Sequence, residues 1–303
     1  MVIIIAKIKS SWDDSSLLGI VLVLPLFLLI VGAVIYPVIE AIKLSFTNIG
    51  YIGAEYEYVG LRNYFNLLGS SNFWRFFLNS VIWTLGNAFT QVILGFITAL
   101  IINQKFKGKT FARTWIILSW IIPTVVLALM WRWILNVSFG VINYLIQVLN
   151  IVENPVNFLG TLSGAMPTVI FVNSWRWFPF FAVIILAGLQ TIPRMYYEAA
   201  EIDGGTGYQK FRYITLPLIR PLLSILGIVG TLWSISIFDV IFLLTRGGPA
   251  GATKTVPLFI YERGFQEYAM RDAVTGAIIL STILIIFIVA FVKLDPAFGK
   301  DFI

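Results

Sequence analysis

The chain has 303 residues, of which 59% are hydrophobic and 12% charged, with a formal net charge of +6. Soluble domains average about 45–50% apolar and about 25% charged residues, so a large soluble α-domain fits poorly. Cysteine and histidine are both absent, which removes disulfides, thiolate chemistry, the commonest general base and the commonest zinc ligand.

The chain opens with a tail, residues 1–16, carrying Lys7, Lys9, Asp13 and Asp14. The apolar run Leu17–Leu44 follows. It is longer than the roughly 7–15 residues of a signal-peptide core and has no small-residue cleavage site. A retained span is therefore expected, and Pro25 and Pro37 are tolerable inside it. About 20 apolar residues cross a bilayer. By that ruler there are six spans: Leu17–Leu44, Val81–Ile102, Trp115–Leu135, Val169–Leu189, Leu216–Leu244 and Ala273–Leu294. The expected fold class is an all-α polytopic membrane protein of six transmembrane helices, in a single domain, 1–303.

Phe73–Phe77 is expected at the interface ahead of the second span. Ile142, Leu145, Ile146 and Leu149 recur at helical spacing, which predicts a short amphipathic surface helix over Val141–Leu149. Trp131, Trp133, Trp175 and Trp177 flank the third and fourth spans and read as an interfacial belt.

The basic residues lie in short loops between apolar runs. That placement speaks for membrane orientation and against nucleic acid. The loop after the second span holds Lys105, Lys107, Lys109 and Arg113 without an acid, so it is expected to be cytoplasmic. Six spans then put both termini and the loop after the fourth span on the same side. Arg132, Arg176, Arg246 and Lys254 count on the outer side. There the loop 245–270 opens with the polar, Gly-rich TRGGPAGATKT.

The longest polar island is Glu198–Pro217, within the cytoplasmic loop 191–215. Pro193 suits a first helical turn, and Met195–Asp203 reads as helix, with Ala199 and Ala200 as strong formers. Gly204 and Gly205 supply a left-handed stop. Thr206 followed by Gln209 is a capping-box pattern for a second helix bearing Phe211 and Ile214 on one face. Pro217 marks the start of the fifth span. Ala199 and Ala200 permit close approach by another backbone. Tyr196, Tyr197, Tyr208 and Phe211 offer anchors of the kind enriched at interfaces, and Glu198, Glu201 and Asp203 offer charge. Spacing alone fits a docking element or a plain helical hairpin.

Nucleotide motifs fail. Gly108-Lys109-Thr110 resembles the end of a phosphate-binding loop, but Asn103 stands where the first glycine belongs. Gly204, Gly205 and Gly207 do not form GxGxxG.

Asp239 is an acid inside an apolar run, where an ionised group costs on the order of 2.5–3.5 kcal/mol. It is expected to face a polar cavity or the interface. Trp233, Ser236 and Asp239 form a candidate substrate patch, with Asn173 and Gln91 as further polar positions along a path. Helix–helix packing is the alternative for each.

Glu198-Ala199-Ala200, Gly204, Ile214 and Leu216-Pro217 together resemble the signature loop of ABC importer permease subunits. Tyr36-Pro37 with Ser45-Phe46, Val59-Gly60-Leu61 with Asn63-Tyr64, Phe238-Asp239 with Leu244-Thr245, and Gly247-Gly248-Pro249 are similar to the maltose and glycerol-phosphate branch of sugar importers. Gly205 departs from the common alanine. The resemblance implies a cytoplasmic coupling helix between the fourth and fifth spans. On this likeness Glu198, Ala199, Ala200, Asp203, Gly204, Ile214, Leu216 and Pro217 couple to the ATPase. It further implies a plasma-membrane protein paired with a second, related permease. Two ATPase subunits carry ATP and Mg, and an extracellular solute-binding protein delivers the sugar. This chain would itself bind no cofactor or metal and catalyse nothing. An ion-coupled secondary transporter is the alternative. Such proteins usually show inverted repeats and midplane coupling acids, and the chain shows no repeat.

Overall fold

The computed structural model describes residues 15–51 and 53–294, so most of the tail 1–16 lies outside it. The fold is helical. Among the described residues the extended segments pair only at an isolated antiparallel bridge, Thr47 with Tyr58.

Helices α1 (Ser15–Ile30) and α2 (Tyr36–Ser45) form one rod, joined by a π turn over Val31–Ile35. Pro37 explains that turn. Proline supplies no N–H and crowds the carbonyl four residues back. The preceding Tyr36 N–H instead bonds the Val31 carbonyl, five residues back. After α3 (Arg62–Leu68) comes α4 (Ser71–Asn103), the longest helix. Phe73–Phe77 forms its opening turns, ahead of the span expected from Val81.

The expected third span is broken. α5 (Lys109–Ile121) and α6 (Thr124–Ile134) meet at an angle of 100°. Ile122 is extended, at φ −62° and ψ 125°, as a residue ahead of proline is pushed to be, and Pro123 cannot continue a helix. Five helical stretches are long and apolar enough to cross a membrane, or up to six if this bent pair counts as one. The predicted surface helix forms as α7 (Val141–Val148), with Asn143 buried on its inner side. α8 (Ala165–Thr191) leads through α9 (Arg194–Ile202) to α10 (Gly207–Lys210). A π turn over Phe211–Thr215 joins α10 to α11 (Leu216–Ser236), so one helical stretch runs over Gly207–Ser236. The rule seen at Pro37 repeats here. The Leu216 N–H, just ahead of Pro217, bonds the Phe211 carbonyl.

The expected fifth span, Leu216–Leu244, also stops early. Ile237 is extended and a separate α12 covers Asp239–Thr245. The stretch expected as the outer loop 245–270 is partly packed. It contains α13 (Val256–Tyr261) and a π turn over Glu262–Gln266, with Thr253, Val256 and Leu258 buried. α14 (Met270–Leu294) closes the described chain.

The core is the pairing of α4 with α8, flanked by α11. Gly95 lets the two backbones approach closely. A Cβ there would lie 2.7 Å from Phe181 Cβ and 3.0 Å from the Ala182 nitrogen. Small residues are what permit such approach between helices in lipid. From Gly19 to Leu44, by contrast, no side chain is buried.

Candidate functional site

At one end of the bundle, α9 projects with Glu198, Ala199, Glu201 and Ile202 exposed. Asp203 ends it, its N–H bonding the Ala199 carbonyl. Gly204 then takes φ +75°, the left-handed conformation that side chains disfavour. Gly205 is needed for a different reason. Its N–H bonds the Ala200 carbonyl at 2.7 Å, and a Cβ would come within 2.7 Å of that oxygen. The Thr206 capping box is complete: Gln209 N–H donates to Thr206 Oγ1 at 3.3 Å, and Thr206 N–H donates to Gln209 Oε1 at 2.7 Å. The helix it starts does not stop short of the fifth long helix but runs on into it.

Two side-chain ties fasten the elbow. Lys210 Nζ bonds Glu201 Oε1 at 2.7 Å, and Tyr197 Oη meets Thr215 Oγ1 at 2.9 Å. Ile214 is half-buried in the angle, while Leu216 and Pro217 are exposed. A groove of about 320 Å³ lies along the elbow between Ala200, Gly204 and Ile214. Behind the loop, a larger hollow of about 660 Å³ separates Tyr197 and Phe211 from Leu100 and Asn103 at the end of α4.

The polar residues within the spans fall into two groups. Gln91 and Asn173 are buried between α4 and α8. Asn87 Oδ1 accepts from Asn173 Nδ2 at 2.7 Å, and from Gln91 Nε2 and Ser174 Oγ at 3.3 Å each. Asn87 Nδ2 donates to the Trp83 carbonyl, and Trp83 Nε1 donates to the Ser234 carbonyl at 2.7 Å. This knot ties α4, α8 and α11 together. Buried polar groups of this kind need internal partners; these residues supply most of them, and Asn173 Oδ1 is left without one.

The candidate patch of Trp233, Ser236 and Asp239 spans the end of α11 and the start of α12. Asp239 sits in the first turn of α12, and its carboxylate accepts from the Val240 N–H at 2.9 Å. Ser236 Oγ bonds back to the Leu232 carbonyl. Trp233 lies one turn before Ser236 on α11. It packs against Trp177 and Phe180 with ring centroids 5.4 and 5.0 Å away. Trp120 adds a fourth ring, 5.7 Å from Phe180. Trp233 and Trp120 stay 41% and 40% exposed, so this aromatic face is open.

Arg176, counted above with the outer side, is helical rather than in a loop, as is Trp177 beside it. Both lie well inside α8. Belt tryptophans and tryptophans packed between helices look alike in an apolar run. The available signal is the spacing of Asn173, Trp177 and Phe180, which share a helix face. Trp133, at 73% exposure, does stand at the surface.

Comparisons with known proteins agree with this architecture. Residues 91–297 match the family described as binding-protein-dependent transport system inner membrane component. The chain is 33% identical over 286 residues to the trehalose/maltose transport system permease protein MalF of Thermococcus litoralis, covering 94% of this chain and 95% of that one. It is 31% identical over 279 residues to the multiple sugar-binding transport system permease protein MsmF of Streptococcus mutans, covering 91% and 94%. The fold is similar to a chain of a bacterial alginate ABC transporter solved in complex with an alginate pentasaccharide-bound periplasmic protein, with a TM-score of 0.81, 22% identity, and coverage of 97% and 98%. The chain belongs to the family of binding-protein-dependent transport inner membrane components, and it is an ABC transporter permease.

Proposed function

We propose that this chain forms half of the translocation pathway for a sugar in an ATP-driven importer, and that Glu198–Pro217 couples it to a separate ATPase subunit. One observation carries the coupling role: α9 is exposed, yet it is fastened to the start of a long helix by Tyr197–Thr215 and Glu201–Lys210. An idle connector needs neither tie. Glu198, Ala199, Ala200, Asp203 and Gly204 would meet the ATPase. Ile214, Leu216 and Pro217 would pass its motion inward. The stretch Gly207–Ser236 is about 45 Å long at the standard rise, and the hollow behind α9 leaves room to move. Switching a two-state gate from about 1:99 to 99:1 takes about 5.5 kcal/mol of differential binding, and a fastened helix can deliver it.

The sugar reading is supported by the relatives' names and by the open face of Trp233, Phe180, Trp177 and Trp120. Pockets for small molecules combine apolar or aromatic walls with a few polar groups. A second, related permease would complete the pathway. Two ATPase subunits would hold ATP and Mg, and an extracellular solute-binding protein would deliver the sugar. The Glu198 loop and both termini would face the cytoplasm, on the side of the acid-free basic loop after α4.

The test is co-purification with the cognate ATPase and measurement of uptake in proteoliposomes. Gly204→Asp and Glu198→Lys should each separate ATPase binding or hydrolysis from transport. A stable complex that still transports with both substitutions overturns the coupling role.

A further inference from the structure

Arg176 carries a charge in the middle of α8, about 17 Å from Ala165 and about 22 Å from Thr191 along the helix at the standard rise. An ionisable side chain within a membrane-spanning helix is costly and normally serves a function. Its surroundings in this chain do not compensate it. Among the described residues it joins no ion pair. One Nη donates to Thr124 Oγ1 at 2.6 Å, and Nε is buried with no acceptor. The guanidinium carbon lies 5.5 Å from the Trp177 ring centroid, and Trp177 Nε1 is also buried without an acceptor. Two donors thus lack acceptors beside a ring of the aromatic face.

We propose that Arg176 contacts the substrate in transit and helps set its specificity. Both donors are closed off in this conformation, so the missing acceptor is a sugar oxygen that they reach when the side chains reorient toward a sugar stacked beside Trp233, Phe180 and Trp177. Donors without acceptors, placed next to aromatic rings, complement a sugar, whose apolar face stacks while its oxygens accept. A carboxylate on an acidic sugar would use the charge; a neutral sugar would use the donors. The inference rests on the reading of the aromatic face as the substrate path.

The assembled transporter in nanodiscs, without binding protein, is titrated with maltose and separately with digalacturonate, following tryptophan fluorescence. Hydrogen bonds to charged groups are the stronger class, so Arg176→Gln should weaken binding by about tenfold or more. Loss with maltose identifies a neutral-sugar contact. Loss with digalacturonate alone, partly restored by Arg176→Lys, identifies a charge contact. Either result supports the proposal. Failure of both sugars to bind the wild-type complex overturns it, as does unchanged binding in Arg176→Gln. Dissociation of the two permeases in Arg176→Gln also overturns it, because the charge then pairs with an acid of the second permease. An equal loss in Thr124→Ala overturns it as well, because Arg176 then only braces the Ile122–Pro123 break. Trp233→Ala separates the two readings. If it leaves binding intact, the path itself is wrong; if it weakens binding while Arg176→Gln does not, only the role of Arg176 falls.

Discussion

Tyr197 Oη and Thr215 Oγ1 stand 2.9 Å apart, the first on the exposed α9 and the second in the π turn that opens into α11. The contact spans the Gly204 turn and makes the two arms of the elbow move together. Thr215 also donates to the Lys210 carbonyl, at 3.4 Å, so the tie bears on the widened turn itself.

Tyr197→Phe removes this hydrogen bond and little else. The expected cost is about 1 kcal/mol, too small to unfold the loop but enough to loosen the lever. Sugar transported per ATP hydrolysed should fall in proteoliposomes while ATPase binding persists. An unchanged ratio would show that the tie is not part of the coupling path.

Gly204→Val places a β-branched residue at φ +75°, which costs on the order of 1–2 kcal/mol or more. The elbow should reorient and the complex with the ATPase should weaken in a pull-down, with membrane insertion intact.

Gly95→Val forces a side chain into the close contact of α4 and α8, against Phe181 and Ala182. Overpacking of this kind costs about 1–3 kcal/mol, so the thermal midpoint in detergent should drop. Gly227→Ala, with nothing within 4 Å of its Cβ, is the matched control and should not lower it.

Trp233→Ala removes an exposed ring from the aromatic face. Aromatic contacts contribute about 0.5–1.5 kcal/mol beyond buried area, so KM for uptake should rise up to about tenfold. Asp239→Asn keeps an oxygen that can accept from the Val240 N–H and should leave uptake nearly unchanged. A large effect of Asp239→Asn with none of Trp233→Ala would return the substrate path to α12.

What could be read from the chain alone was local. The Thr206–Gln209 box and the Gly204 turn depend on neighbours a few residues away, and both are present. Apolar length located the long helices but hid two breaks. Ile122–Pro123 interrupts a run whose hydropathy continues on both sides. Ser236–Asp239 breaks with no proline or glycine to mark it. The roles of Gln91, Asn173, Arg176 and Trp177 depend on which helix faces which, and spacing within one helix does not determine that. Gln91 and Asn173 face each other across Asn87, whereas Trp177 turns to Trp233 on a helix some fifty residues further along.

The bare perimeter of the rod from Gly19 to Leu44 has a consequence for how the protein is made. Its apolar side chains find almost no cover within their own chain. Acyl chains or another polypeptide must solvate them from the moment of synthesis. A cell that produces this chain in excess of its assembly partners would leave that rod bathed only in lipid. Lipid tails are as apolar as these side chains, so the rod itself tolerates that state, and any partner must hold it by close packing rather than by hydrophobic burial.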